Sequence, residues 1–126
     1  MENKHQDASQ LMYAGKIDQA AVAYRSMLSQ NAEDPMALEG MVYCSLSLER
    51  FEEAESWLGE LKKVQPHASS THWLQSLAAY YRRNLEESEW EAHKALELDP
   101  NSGRAHHVLG LLHLENKKIR DALNSW

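Results

Sequence analysis

Residues 51–66 read Phe51-Glu52-Glu53-Ala54-Glu55-Ser56-Trp57-Leu58-Gly59-Glu60-Leu61-Lys62-Lys63-Val64-Gln65-Pro66. Phe51, Ala54, Leu58 and Leu61 recur three and four places apart, the interval between positions on one face of an α-helix. The strict alternation of a half-buried strand is absent. Pro66 cannot continue a helix interior and ends the segment. The same pattern stands 34 residues to either side. Ala20, Ala54, Ser88 and Ala122 form a ladder of small residues at that period. Three places before them lie Ile17, Phe51, Leu85 and Ile119. Four places after them lie Tyr24, Leu58, Ala92 and Trp126. Seven after come Met27, Leu61 and Ala95; twelve after come Ala32, Pro66 and Pro100. Several registers in phase over four copies indicate an internal repeat.

A 34-residue period with this pattern resembles the tetratricopeptide repeat (TPR). Gly15, Ala20 and Tyr24 carry the likeness in the first copy, and Phe51, Ala54, Leu61 and Pro66 in the second. Ala95, Leu96, Asp99 and Pro100 carry it in the third, and Leu109, Gly110 and Ala122 in the fourth. The resemblance implies an all-α fold, a right-handed solenoid of antiparallel helix pairs over residues 1–126. Its repeats are 1–34, 35–68, 69–102 and an incomplete 103–126. The helices are expected near 4–14, 17–30, 35–48, 51–64, 69–82, 85–98, 102–115 and 118–126. The departures are Asp7-Ala8, Met41-Val42 and Gln75-Ser76 where Leu-Gly is usual, and Ser88 in the ladder.

Local chemistry agrees. Asp34-Pro35 reads as an N-cap followed by proline in the first turn, where its missing N–H is not needed. Asn84 with Glu87 three places on reads as a capping box. Ser69 or Ser70 is the expected cap of the fifth helix. The chain ends inside the expected eighth helix, without the polar cap that solenoids use to cover a terminal apolar face. It is therefore expected to be part of a longer protein.

The chain has 126 residues, with 13 Lys and Arg against 19 Asp and Glu and a net charge of −6. That balance argues against a nucleic-acid binder, which needs a basic face, and against an anionic-membrane surface. With 5 Gly and 3 Pro, a turn-rich β-sandwich is excluded. The polar start, Met1 to Asp7, has no apolar signal core, and no run approaches ~18 apolar residues. The expectation is a cytoplasmic chain without membrane insertion.

Motifs for chemistry are missing. There is no phosphate loop, no His-Glu-x-x-His and no Gly-x-Ser-x-Gly, so no enzyme and no cofactor are expected. Cys44 lies in a helical pattern and reads as a small buried thiol. His106 and His113 share a helix face, and His72 holds the place of His106 one repeat earlier. They supply two ligands, three at most, and read as packed or solvated side chains rather than a metal site. Glu52, Glu53, Glu55, Glu86, Glu87, Glu89 and Glu91 read as a solvated outer face.

In the family that this sequence resembles, the first helix of each pair lines a concave surface through places 2, 5, 9, 12 and 13. Members that bind acidic chaperone tails place Lys, Asn, Asn, Lys and Arg there as a carboxylate clamp. The equivalent residues are His5, Ser9, Gly40, Ser70 and Leu74. One repeat on, they are Glu39, Tyr43, Leu74, Arg104 and Val108. Neither frame supplies the clamp. What remains is an aromatic and apolar groove of Tyr43, Trp73, Leu77, Tyr80, Tyr81 and Leu111, edged by Glu39, Arg104 and His107. Trp and Tyr bury large areas and keep a polar edge, which suits binding anchors. Tyr80 in particular reads equally as core. Trp57 and Trp90, on second helices, read as a second contact or as shielded side chains.

The leading expectation is a non-catalytic scaffold that binds an apolar or amphipathic protein segment in this groove. Two alternatives stay open: a self-assembly module forming homo-oligomers, or a regulatory or targeting region of an enzyme whose catalytic domain lies beyond residue 126. Some relatives are bacterial assembly or secretion factors.

Overall fold

The computed structural model describes residues 4–124, with α1 (Lys4–Tyr13), α2 (Ile17–Gln30), α3 (Pro35–Ser47), α4 (Phe51–Val64), α5 (Ser69–Tyr81), α6 (Leu85–Leu98) and α7 (Gly103–Asn124). No strand occurs among the described residues. Six helices fall within a residue of their expected ends. The chain divides into two units, residues 1–67 and 68–126.

In the first unit α1 packs on α2, α2 on α3, α3 on α4, and α1 also on α3. The ladder residues Ala20 and Ala54 are buried, as are Ala8 and Val42 on the first helices of the same repeats. Small side chains at these places let backbones approach. Leu38, Met41, Leu58 and Leu61 fill the space beside them. Gly40 serves a close contact of another kind: a Cβ there would stand 2.4–2.6 Å from the ring of Tyr24 on α2. Tyr24 lies flat in that slot, 3% exposed.

The second unit packs α5 on α6, α6 on α7 and α5 on α7. Leu74, Ala79, Ala92, Ala95, Ala105 and Val108 are fully buried. Its ladder residue is Ser88, paired with Ser76. The Ser76 hydroxyl donates to the Ser88 carbonyl at 2.6 Å and the Ser88 hydroxyl to the Ser76 carbonyl at 2.8 Å. Two departures from the repeat pattern therefore answer one another.

Helix ends follow from local chemistry. The Asp34 carboxylate accepts from the Ala37 N–H and Asn84 from the Glu87 N–H, both at 3.3 Å. Ser69 is not the cap of α5. Ala68 holds that place, and the Ser69 hydroxyl reaches across to the carbonyl of Ala95 near the end of α6, at 2.9 Å. The three turns within pairs share one design. Gly15 (φ 81°), Glu49 (φ 60°) and Arg83 (φ 66°) stand at the same place of successive repeats, all in the left-handed region. The N–H of the next residue then bonds back five places, Lys16 to Leu11, Arg50 to Ser45 and Asn84 to Ala79. This is the Schellman closure of a helix.

The expected break between a seventh and an eighth helix is not present. α7 runs unbroken from Gly103 to Asn124. Lys117 stands at the place that Gly15, Glu49 and Arg83 hold in the earlier repeats, but it is helical. The part of the expected eighth helix at residues 125–126, including Trp126, lies outside the described residues.

Candidate partner-binding site

In the second unit α5 and α7 lie side by side and present the residues expected of the groove. Trp73 on α5 is covered by Arg104 of α7, whose guanidinium carbon lies 4.8 Å from the ring centroid. This is cation–π geometry, in which a cation is held by the ring's negative face. Trp73 is 7% and Leu77 8% exposed. These two residues, read from sequence as open groove, are packed. Both sit at buried positions of α5.

Arg104, His107 and Tyr81 are exposed, and Leu111 and Tyr80 are half-buried. The Tyr81 ring meets that of Tyr80 edge-on, with centroids 5.9 Å apart. Glu115 on α7 accepts a 3.1 Å bond from Arg83, and the Tyr80 hydroxyl stands 3.5 Å from its other oxygen. Tyr80 is thus partly core and partly surface. The bond from Arg83, and after it the nearby Lys118 charge, hold the Glu115 carboxyl below the usual carboxylate range, against the opposing effect of desolvation.

The first unit carries Glu39 and Tyr43 on α3, both half-buried. Glu39 accepts from the Gln65 side-chain amide at 2.5 Å, so its carboxylate is committed within the unit. The clamp positions hold no set of cations. His5 is spent on Asp34 at 2.7 Å, the Ser9 hydroxyl stands 3.3 Å from that of Tyr24, and Gly40, Leu74 and Val108 are buried.

Trp57 is half-buried, its indole N–H 3.4 Å from Glu53, which also accepts from Arg25 at 2.9 Å. Trp90 is 57% exposed, with the Lys94 ammonium 5.0 Å from its ring centroid. It is therefore shielded in part by a long neighbour yet remains open.

Two readings of titratable residues need correction. Glu91 is not on the solvated face: it is 7% exposed. His72 is paired with Glu91, and its Nδ1 stands 2.7 Å from the carboxylate. The Gln75 amide, turned so that nitrogen faces the carboxylate, donates to both Glu91 oxygens at 3.0 and 3.1 Å. The signal lay in three polar residues replacing apolar ones on facing helices. A buried carboxylate requires such partners. His106 instead contacts the Pro100 carbonyl at 3.0 Å. Among the described residues no three His, Cys, Asp or Glu side chains converge as metal ligands, and no helix is long and apolar enough to cross a membrane. Cys44 is buried, its Sγ 4.0 Å from the Met12 sulfur, and burial pushes its thiol up to about 11.

The comparisons agree with this architecture. The tetratricopeptide repeat model matches residues 11–80. No curated protein sequence matches the chain. Among solved structures, the first TPR domain of human RPAP3 aligns with a TM-score of 0.76 at 20% identity, covering 98% of this chain and 94% of that one. A thermophilic TPR protein of Thermus thermophilus aligns with a TM-score of 0.79 at 23% identity, covering 95% and 68%. The first TPR of Spaghetti (RPAP3), bound to the HSP90 peptide SRMEEVD, aligns with a TM-score of 0.73 at 19% identity, covering 90% of each chain. At these identities the likeness concerns the fold. The helix pairs, the small-residue ladder and the matched model together place the chain in the tetratricopeptide repeat family.

Proposed function

We propose that the chain is a non-catalytic protein-interaction module that holds an apolar or amphipathic partner segment on its first helices. The observation that carries this reading is the mix of burial on α5 and α7: Trp73 and Leu77 are buried, while Arg104, His107, Tyr81 and Leu111 keep solvent access. Side chains already packed lower the entropic cost of binding, because few must be ordered on contact. Tyr80, shared between core and surface, orients Tyr81. The first unit carries its own half-buried aromatic ring, Tyr43 on α3. An acidic chaperone tail, as bound by the Spaghetti domain, is not the ligand this face suits, since the clamp places carry serine, glycine, leucine and a committed histidine.

The test uses the whole chain, immobilised, with the captured partner measured by quantitative mass spectrometry. Tyr43→Ala, Tyr81→Ala and His107→Ala are expected to weaken capture of the partner about tenfold each, the scale of an interface anchor, with unchanged far-UV circular dichroism. A photo-crosslinker at position 107 should join the partner, and one at Glu52 on the outer face should not. Capture unaffected by all three substitutions removes the assignment.

A further inference from the structure

The charge of the chain is unevenly divided. Residues 1–67 carry 11 Asp and Glu against 6 Lys and Arg, which accounts for five of the six net negative charges. The carboxylates gather on α4 and the turn before it. Glu49, Glu52, Glu53, Glu55 and Glu60 stand there against Arg50 as the one basic residue between 49 and 60. Glu53, Trp57 and Glu60 are spaced four and three apart, so they share one stripe of the helix. Seven residues set the two carboxylates about 10.5 Å apart along the axis, with the indole between them.

This stripe lines a cleft of about 380 Å³, completed by Ser56 and by Arg25 of α2. The volume falls in the range of small-ligand sites and exceeds that of one amino-acid side chain. The two ends of the cleft differ. At one, the Arg25 guanidinium donates to Glu53 Oε1 at 2.9 Å, and the Trp57 indole N–H stands 3.4 Å from the same oxygen. The chain's own guanidinium neutralises this end and the shared oxygen positions the indole, which stays half-buried. At the other end Glu60 meets Lys63 at 3.2 Å, with the two side chains 55% and 75% exposed. So exposed a pair contributes little and does not hold the carboxylate against a competing cation.

We propose that this cleft binds an arginine side chain presented by a basic segment of a partner protein. The guanidinium lies on the Trp57 indole and pairs with Glu60, as Arg25 pairs with Glu53 two turns away. Arginine suits the site better than lysine, because a planar guanidinium both stacks on an indole and meets a carboxylate with two parallel N–H donors. The surrounding carboxylates draw a basic segment in and repel an acidic one. The contact lies wholly on α2 and α4 and is independent of the α5 and α7 residues.

The test is an NMR titration of the whole isotope-labelled chain, at physiological salt, with a short peptide of alternating arginine and glycine. Its lysine and glutamate counterparts are titrated in parallel. The Trp57 indole N–H signal, assigned by its loss in Trp57→Phe, is expected to shift saturably with the arginine peptide. The lysine peptide should bind several-fold more weakly and the glutamate peptide should leave the signal in place. Glu60→Gln should weaken arginine-peptide binding several-fold. Glu52→Gln removes the same charge from α4 outside the cleft and should leave binding nearly unchanged. Both positions are exposed, so the fold is retained, as circular dichroism will confirm. Equal losses in the two variants would mark diffuse attraction and overturn the proposal. An unmoved Trp57 indole, or equal binding of the lysine and arginine peptides, would overturn it too.

Discussion

Ser76 and Ser88 hold α5 and α6 together through reciprocal bonds, each hydroxyl donating to the other residue's backbone carbonyl, at 2.6 and 2.8 Å. Both side chains are 0% exposed. Each hydroxyl is thus satisfied only because the other helix stands at this distance. Either Ser76→Ala or Ser88→Ala should cost about 1 kcal/mol, the net value of a buried hydrogen bond. The double variant should cost less than the sum, since the two share one crossing. Urea denaturation of the four chains measures the coupling. Strict additivity would show that the two bonds act independently.

Gly40 is required by the ring of Tyr24, which a Cβ would approach to 2.4–2.6 Å. Gly40→Ala gains about 1 kcal/mol of helix propensity but overpacks a filled slot, which costs typically ~1–3 kcal/mol. The net expectation is a loss near 1 kcal/mol, read as a lower urea midpoint. Tyr24→Leu with Gly40→Ala should recover part of it by withdrawing the ring. A stabilised Gly40→Ala chain would show that the slot is not tight.

Cys44 is desolvated, with its thiol raised from 9.0 to about 11. Thiol reagents attack the thiolate, so labelling of the folded chain should be far slower than in denaturant. The linkage has a definite sign. The folded state binds the thiol proton more tightly, so this contribution is complete below pH 9.0 and is lost as pH rises towards 11. Cys44→Ala should flatten the alkaline limb of the stability–pH curve. Rapid labelling in native buffer would contradict the burial.

Glu115 behaves in the opposite sense. Its carboxyl is held below the ordinary range chiefly by the bond from Arg83. The unfolded chain therefore binds that proton more tightly, and the contribution is present above the unfolded carboxylate pKa. It is lost as pH falls through the lower folded value. Arg83→Met should reduce the acid sensitivity of unfolding and move the Glu115 carboxyl titration upward in pH when followed by NMR. An unmoved titration would show that Arg83 is not the cause.

Much of the architecture was legible because it repeats. The ladder residues Ala20, Ala54 and Ser88 marked three helix pairs, although Ala122 lies within the unbroken α7, and Asp34 and Asn84 marked two helix starts by their own side chains. The candidate site was less legible. Places in a repeat identify which helix face a residue joins, but not how much of it a neighbour covers. Trp73 was read as an open anchor, yet Arg104 from α7 lies over its ring. Glu91 was read as solvated, yet His72 and Gln75 from α5 enclose it. Both outcomes depend on side chains from another helix, and periodicity along one helix does not contain them.

The sequence by itself therefore determined the period, the small residues at the crossings and the ends of six helices, because these rest on local propensity and on spacing along one chain. The tertiary structure alone decided the pairing of Ser76 with Ser88, the packed state of Trp73 and Leu77, and the unbroken course of α7. Those depend on which surfaces meet. For Asn116–Lys118 the local sequence allows both turn and helix, and in the structure the helix is the one adopted.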